Sequence, residues 1–180
     1  MSLNTRTHEA TGADSSKQDR LAGLYEVYYD KLARYAMAHI HRRADAEDIA
    51  AEAFVRALAA LDRYEERGMP MHAWLFAIAR NLIVDCQRNA GKLRQVPLEG
   101  VEVESGHNPV TETETRMEIE RVGVAMRQLT RDQQEVVRLR FLGGLTSAEV
   151  GQVLHRKDGA VREMQRAALQ KLRQVLDTDA

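Results

Sequence analysis

The stretch LTRDQQEVVRLRFLGGLTSAEVGQVLHRKDGAVREMQRAALQKLRQVL, residues 129–176, carries two helix-start signals sixteen positions apart. Thr130-Arg-Asp-Gln133 and Thr146-Ser-Ala-Glu149 each put a hydroxyl at a helix N-cap and a Gln or Glu three residues later, the pattern of a capping box. The first opens a helix bearing Val136, Val137, Leu139 and Phe141, which Leu142-Gly-Gly-Leu145 stops. The second opens a short helix with Val150, Val153 and Leu154, and His155-Arg-Lys-Asp158 makes a tight turn. From Gly159 a last helix turns Val161, Met164, Ala168, Leu172 and Leu176 inward, leaving Arg162, Gln165 and Arg166 outward. A short helix, a tight turn and a longer helix form a helix-turn-helix, the arrangement that lays its second helix in the DNA major groove. Arg and Gln suit that position, because both can bond a purine edge through two hydrogen bonds at once.

Upstream, Ile119, Val122, Met126 and Leu129 continue the apolar register. Before them, residues 96–115 lose periodicity and collect Pro97, Gly100, Gly106, Asn108 and Pro109, all turn formers. A structureless loop of about 20 residues is unusual inside one compact domain, so a boundary belongs here. The amino-terminal half has its own helical stripes. Leu21, Leu24, Tyr25, Tyr28, Leu32, Tyr35 and Ile40 recur at steps of three and four. Asp45 is the expected N-cap of a second helix with Ile49, Ala53, Phe54, Ala57, Leu58 and Leu61 inward. Tyr64 to Pro70 breaks the pattern, and Trp74, Leu75, Ile78, Ala79, Leu82 and Cys86 form a third stripe. The expectation is an all-α chain of two small helical domains, 21–95 and 116–180. A polar tail (1–20) precedes them and an acidic flexible linker (96–115) joins them.

Composition excludes several classes. The 180 residues hold 3 Pro and 1 Cys, with 44% apolar and 29% charged side chains, close to globular averages. The single Cys86 rules out an internal disulfide framework and fits a reducing compartment, so a cytoplasmic protein is expected. No run approaches the roughly 20 apolar residues of a membrane span, so no membrane insertion is expected. The formal net charge of −1 conceals strong segregation. Residues 97–120 hold one basic and seven acidic groups, whereas 121–180 hold eleven basic and seven acidic. Such asymmetry bears on partners. Asp45, Glu47, Asp48 and Glu52 set four carboxylates on two helical turns, a docking patch for a basic partner. Arg80, Arg88, Lys92 and Arg94 make the third helix end cationic, which suits phosphate contacts.

DAEDIAAEAFVRAL (45–58) and WLFAIARNLIVD (74–85) resemble the second conserved region of bacterial sigma factors. LTRDQQEVVRLRF (129–141) followed by GAVREMQ (159–165) resembles their fourth. The small size and absence of a third-region domain resemble the extracytoplasmic-function (ECF, group 4) members of the sigma-70 superfamily. That resemblance implies binding to core RNA polymerase (β and β′ subunits) and recognition of −10 and −35 promoter elements to start transcription of a regulon. It places Asp45, Glu47, Asp48 and Glu52 on the clamp coiled coil of β′. It assigns Tyr64, Arg67, Met71, Arg80, Asn81, Arg88 and Lys92 to the opened −10 element, and Arg156, Lys157, Arg162, Glu163, Gln165 and Arg166 to the −35 duplex. The acidic linker corresponds to the family connector through the polymerase channels. A restraining anti-sigma partner is also implied, as is nucleoid association when active. Departures from the family pattern are the bulky EERGMPM loop (65–71), His155 where Gly is common, and Lys157 near a usual Ser cap.

A plain helix-turn-helix regulator with a helical sensor domain is the rival reading. An enzymatic reading requires acidic pairs on two neighbouring helices to hold Mg²⁺, and the third helix offers only Asp85. His39 and His41, two apart, fall on different helix faces and make a poor metal pair. Neither catalytic residue, metal nor cofactor is expected.

Overall fold

The computed structural model describes residues 6–66, 68–93 and 121–178, with side chains over 16–66, 68–90 and 121–177. All regular structure among them is helical. The chain divides into two compact units, Met1–Pro97 and Leu98–Ala180. The linker assigned to 96–115 lies outside the described residues, as do Arg67 and the side chain of Lys92.

Unit 1 consists of α1 (Arg6–Ile40), α2 (Arg43–Ala59), a 3-10 turn (Leu61–Arg63) and α3 (Met71–Leu93). The expected tail is therefore helical from Arg6 onward. Its side chains at 16 and 18–20 face solvent, so too few apolar positions repeat there to signal a helix, while no Pro interrupts it. On α2, Ala46, Ala50, Ala53 and Ala57 are all buried at helical spacing, and such small side chains allow close approach of a neighbouring helix. Leu32, Tyr35 and Ala36 of α1 and Leu75, Phe76 and Ala79 of α3 are fully buried in the same unit. Tyr35 meets Phe76 edge-on at 5.5 Å between ring centres, a favoured aromatic geometry.

Asp45 does not cap α2. The N-cap is Arg42, without a side-chain cap, and Asp45 sits in the first turn, 3.1 Å from the Arg42 guanidinium. His41, at φ 59°, ends α1 and leaves only two residues before α2 begins, so the cap falls earlier than the carboxylate. At its actual position Asp45 still interacts favourably with the helix dipole.

Unit 2 contains α4 (helical over 121–127), α5 (Arg131–Phe141), α6 (Ser147–Leu154) and α7 (Asp158–Thr178). Both expected capping boxes form. Gln133 N donates to Thr130 Oγ1 at 3.2 Å and Thr130 N to Gln133 Oε1 at 3.0 Å. Glu149 N donates to Thr146 Oγ1 at 3.3 Å and Thr146 N to Glu149 Oε2 at 2.7 Å. Leu129, Val137 and Ala168 join Met126 and Leu172 in one cluster. Val136, Leu139, Leu145, Val150 and Val161 are also fully buried.

The α6–α7 turn rests on His155, which adopts φ 54° and ψ 44°. Left-handed geometry costs a side-chain-bearing residue about 1 kcal/mol relative to Gly. His155→Gly is thus expected to raise the unfolding free energy by about 0.5–1 kcal/mol, less the entropy Gly adds to the unfolded chain. Denaturant unfolding of the full chain measures it, and a loss of stability would contradict this account of the turn.

Candidate nucleic-acid interface

Three surfaces carry the chemistry. The first is the outer face of α2. Asp48 is exposed, and Glu52 is 46% exposed in its side chain. Glu47 bonds Arg43 at 2.8 Å and Glu52 bonds Arg56 at 2.8 Å, both one helical turn apart. Exposed pairs of this kind contribute only a few tenths of a kcal/mol, so the carboxylates remain available to a partner. Asp48 has no ion-pair partner among the described residues. With burial as the main cause, and Tyr25, Glu47, Asp30 and Asp48 adding to it, the Tyr29 hydroxyl is held above its usual pKa.

Beside these carboxylates lie apolar side chains that periodicity assigned to the core or passed over. Leu58 is 55% exposed and Val55 59%. Tyr25, also expected inward, is 45% exposed, its ring packing on Phe54 and Tyr29 with centroids 5.0 Å away in each case. Asp48, Glu52 and Val55 share a stripe at i, i+4 and i+7. A polar and apolar surface of this composition is suited to a protein partner. The signal was present in the sequence, because Leu58 repeats at the spacing of Ala51 and Val55 as well as that of the core stripe.

The second surface is the segment from Tyr64 to Pro70 and the start of α3. Tyr64 and Met71 are buried, 6% and 2% exposed, and so are not open base contacts. Tyr64 braces the loop from inside: its ring stacks on Trp74 at 4.8 Å and its hydroxyl donates to the Met69 carbonyl at 2.9 Å. Burial, with Glu66 nearby, raises its pKa, while Arg20 acts the other way. Met71 instead lines a cavity of about 360 Å³ with Pro70 and His72. Gly68 turns the chain at φ 85°. On α3, Asn81 and Arg88 are exposed and Arg80 is half-buried. Arg88 lies 3.7 Å from Asp85, a loose pair that a phosphate can displace.

The third surface is α7 with the turn before it. Arg156, Lys157, Arg162, Glu163 and Arg166 are exposed. Arg156 bonds Asp132 at 2.8 Å and Arg162 bonds Asp158 at 2.8 Å. Arg166 pairs with Glu163, holding that carboxyl below its usual range. Gln165 differs from expectation. Its Oε1 accepts from Arg140 Nε at 2.8 Å, so two-point bonding to adenine requires that bond to break. Arg140, which the sequence did not single out, also donates to the Leu145 carbonyl. It thereby ties α5, the 142–145 turn and α7 together.

Among the described residues no group of three His, Cys, Asp or Glu side chains is placed to hold a metal ion, and no helix is long and apolar enough to cross a membrane.

A family model for Sigma-70 region 2 matches residues 24–93, and one for Sigma-70 region 4 matches residues 125–174. The chain is 34% identical to the ECF RNA polymerase sigma factor BldN of Streptomyces coelicolor, over 93% of its own length and 64% of that protein's. It is 30% identical to the ECF RNA polymerase sigma factor ShbA of Streptomyces griseus, covering 95% of this chain and 93% of that one. Among solved structures it is similar to CnrH in complex with the cytosolic domain of CnrY. That match has a TM-score of 0.68 and 26% identity, and covers 95% of this chain and 96% of CnrH. Two region models in order, together covering most of the described helices, lead to one conclusion: the chain belongs to the ECF group of the sigma-70 family of RNA polymerase sigma factors.

Proposed function

We propose that this chain binds core RNA polymerase through the outer face of α2 and directs initiation at promoters read by its two units. The observation that carries this reading is the juxtaposition on α2 of exposed Asp48 and half-exposed Glu52 with exposed Val55 and Leu58. Val55 and Leu58, both more than half exposed on α2, give a partner apolar area to bury beside the carboxylates. Asp45 and Glu47 flank that face and add to its negative field, while their pairing with Arg42 and Arg43 makes them secondary.

In unit 1, Asn81 reads a base of the opened −10 strand by hydrogen bonds, and Arg80, Arg88, Arg67 and Lys92 hold phosphates. The energetic task is to offset lost stacking, a few kcal/mol for a base taken out of the stack. The cavity beside Met71 offers a place for such a base, with Pro70 and the His72 ring in its wall as surfaces to pack against. In unit 2, Arg162 and Arg166 reach base edges of the −35 duplex from the first half of α7. Arg156 and Lys157, at the turn, contact its backbone. Glu163 accepts from cytosine or holds Arg166 in place. No step calls for chemistry by the chain itself, so its part in transcription is binding and strand opening. Working with the polymerase places it in the cytoplasm, on the nucleoid when engaged. CnrH is solved with the cytosolic domain of CnrY, and a restraining anti-sigma protein of comparable kind is the further partner proposed here. The region 2 match does not favour a stand-alone helix-turn-helix regulator.

Arg162→Ala tests base reading directly. With core enzyme and a promoter library randomised across the −35 element, it is expected to cost about 1–3 kcal/mol at one base position and leave the others unchanged. A uniform loss across all sequences would make Arg162 a phosphate contact instead.

A further inference from the structure

The region 2 match opens at residue 24, yet α1 runs back to Arg6, and two side chains from this earlier part reach the loop before α3. Lys17 Nζ donates to the carbonyls of Leu61, at 3.4 Å, and Tyr64, at 2.9 Å. One turn further on, Arg20 Nη2 meets Glu66 Oε2 at 2.8 Å. Arg20 and Glu66 also line the 360 Å³ cavity, together with Leu24, Pro70, Met71 and His72.

We infer that Lys17 and Arg20 are positioning residues for promoter reading: they hold the 61–66 backbone and neutralise Glu66, so that the loop offers one fixed shape to the opened −10 strand. The inference rests on the proposed role of that loop. Tyr64 is the relay. Its carbonyl is held by Lys17, its ring by Trp74, and its hydroxyl holds Met69, so an anchor on α1 extends to the loop tip. Fixing a loop before it binds removes an ordering cost from the binding step. Glu66 adds an electrostatic reason. A carboxylate at the mouth of a cavity meant for a nucleotide repels the phosphate beside it, and the Arg20 guanidinium cancels that charge. Their mutual pull also keeps the Arg20 pKa above its ordinary value. Both partners are about half exposed, so the pair contributes little to stability and its effect belongs to recognition.

The test uses full-chain protein with core polymerase and a promoter library randomised across the −10 element. Transcript yield, base preference, core affinity and thermal midpoint are measured together. Lys17→Met removes the donor and keeps the apolar stem. It and Arg20→Ala are expected to lower yield about tenfold, the effect of losing a charge-assisted hydrogen bond, and to flatten −10 preference. Core affinity stays unchanged; Arg20→Ala leaves the thermal midpoint where it is, and Lys17→Met lowers it by a few degrees, with the chain still folded at the assay temperature. Lys17→Arg restores donation to the two carbonyls and with it the preference. Exchange of the pair, Arg20→Glu with Glu66→Arg, recovers preference that Arg20→Glu alone loses. Wild-type preference in Lys17→Met and Arg20→Ala overturns the inference, as does a fall in yield that tracks the thermal midpoint with the base profile intact. Alanine at Glu65 and Met69 separates the two possible failures. If those loop variants alter −10 preference and the α1 variants do not, only this inference falls. If neither set alters it, the loop does not read the −10 element and the proposed role falls as well.

Discussion

Reversing charge at Asp48 and Glu52, as Asp48→Lys with Glu52→Lys, is expected to weaken binding to core polymerase about a thousandfold while leaving the chain folded. The asymmetry follows from where the two carboxylates sit. Asp48 has no ion-pair partner among the described residues, and Glu52 is bonded only to Arg56 on its own helix. Losing that exposed pair costs about 0.3–0.5 kcal/mol, a Lys at position 52 adds a similar repulsion toward Arg56, and the i,i+4 repulsion between the carboxylates is exchanged for one between two ammonium groups. Stability should therefore fall by no more than about 1 kcal/mol, which leaves the chain folded. Binding is different. Two Lys side chains facing a basic partner replace attraction with repulsion, a change of several kcal/mol, and about 4 kcal/mol corresponds to three orders of magnitude in Kd. Leu58→Ala and Val55→Ala should weaken binding by smaller steps, since each removes apolar area that only the complex buries. Holoenzyme assembly measured by fluorescence anisotropy against core enzyme checks the series. Unchanged assembly by the double reversal would remove α2 from the interface.

Gly151→Ala is the second large effect, and it belongs to unit 2. Gly151 is buried on α6, and a Cβ built there would lie 2.6 Å from the Arg156 carbonyl oxygen. That oxygen is backbone and has no rotamer to yield. The same two residues are joined by Arg156 N donating to the Gly151 carbonyl at 2.8 Å, so the turn closes tightly over the glycine. A methyl group must push the turn open, at a cost of about 1–3 kcal/mol for overpacking. A unit of about 60 residues buries only about 60% of the surface its unfolded chain exposes and is marginal alone, so this is a large share of its stability. Opening the turn also shifts the start of α7, where Arg156, Lys157 and Arg162 meet DNA in the proposed complex. The expected result is loss of −35 duplex binding, with core affinity through α2 retained. Parent-level DNA affinity and unfolding midpoint in Gly151→Ala would contradict this account of the turn.

The parts of the fold that depend on neighbours in sequence were legible in advance. Thr130 with Gln133 and Thr146 with Glu149 form their boxes because each box is closed within four residues. His155 in the left-handed region could likewise be anticipated from its place between two helices. What the sequence hid is non-local. Periodicity identifies apolar residues on a helix and cannot say whether the chain or a partner covers them. Tyr25 and Leu58 accordingly lie 45% and 55% exposed where an inward position was expected. Asp45 fails as a cap because the break at His41 is set by backbone geometry rather than by the nearest carboxylate. Tyr64 and Met71 were sought on the DNA side by resemblance, and burial places Tyr64 in the scaffold and Met71 in the cavity wall. Arg140 with Gln165, and Lys17 with Tyr64, join residues 25 and 47 positions apart, beyond the reach of any local pattern.

The two sets of residues proposed to face DNA also differ in how well they could be read. On α7 helical spacing alone puts Arg162, Gln165 and Arg166 outward; Arg162 and Arg166 are exposed, whereas Gln165 is half-buried against Arg140. The surface proposed for the −10 element depends on an irregular loop whose shape comes from Tyr64, Trp74, Lys17 and Gly68 acting together. Spacing rules carry no information about such a loop.

The most direct measurement is run-off transcription by purified core polymerase with and without this chain, on genomic fragments selected by the pair. Discrete transcripts are predicted whose start sites require both a −35 duplex and a −10 element, and which vanish with the Asp48 and Glu52 reversals. Tight binding to duplex fragments by the chain alone, with no transcript from any of them when core enzyme is added, would contradict the account.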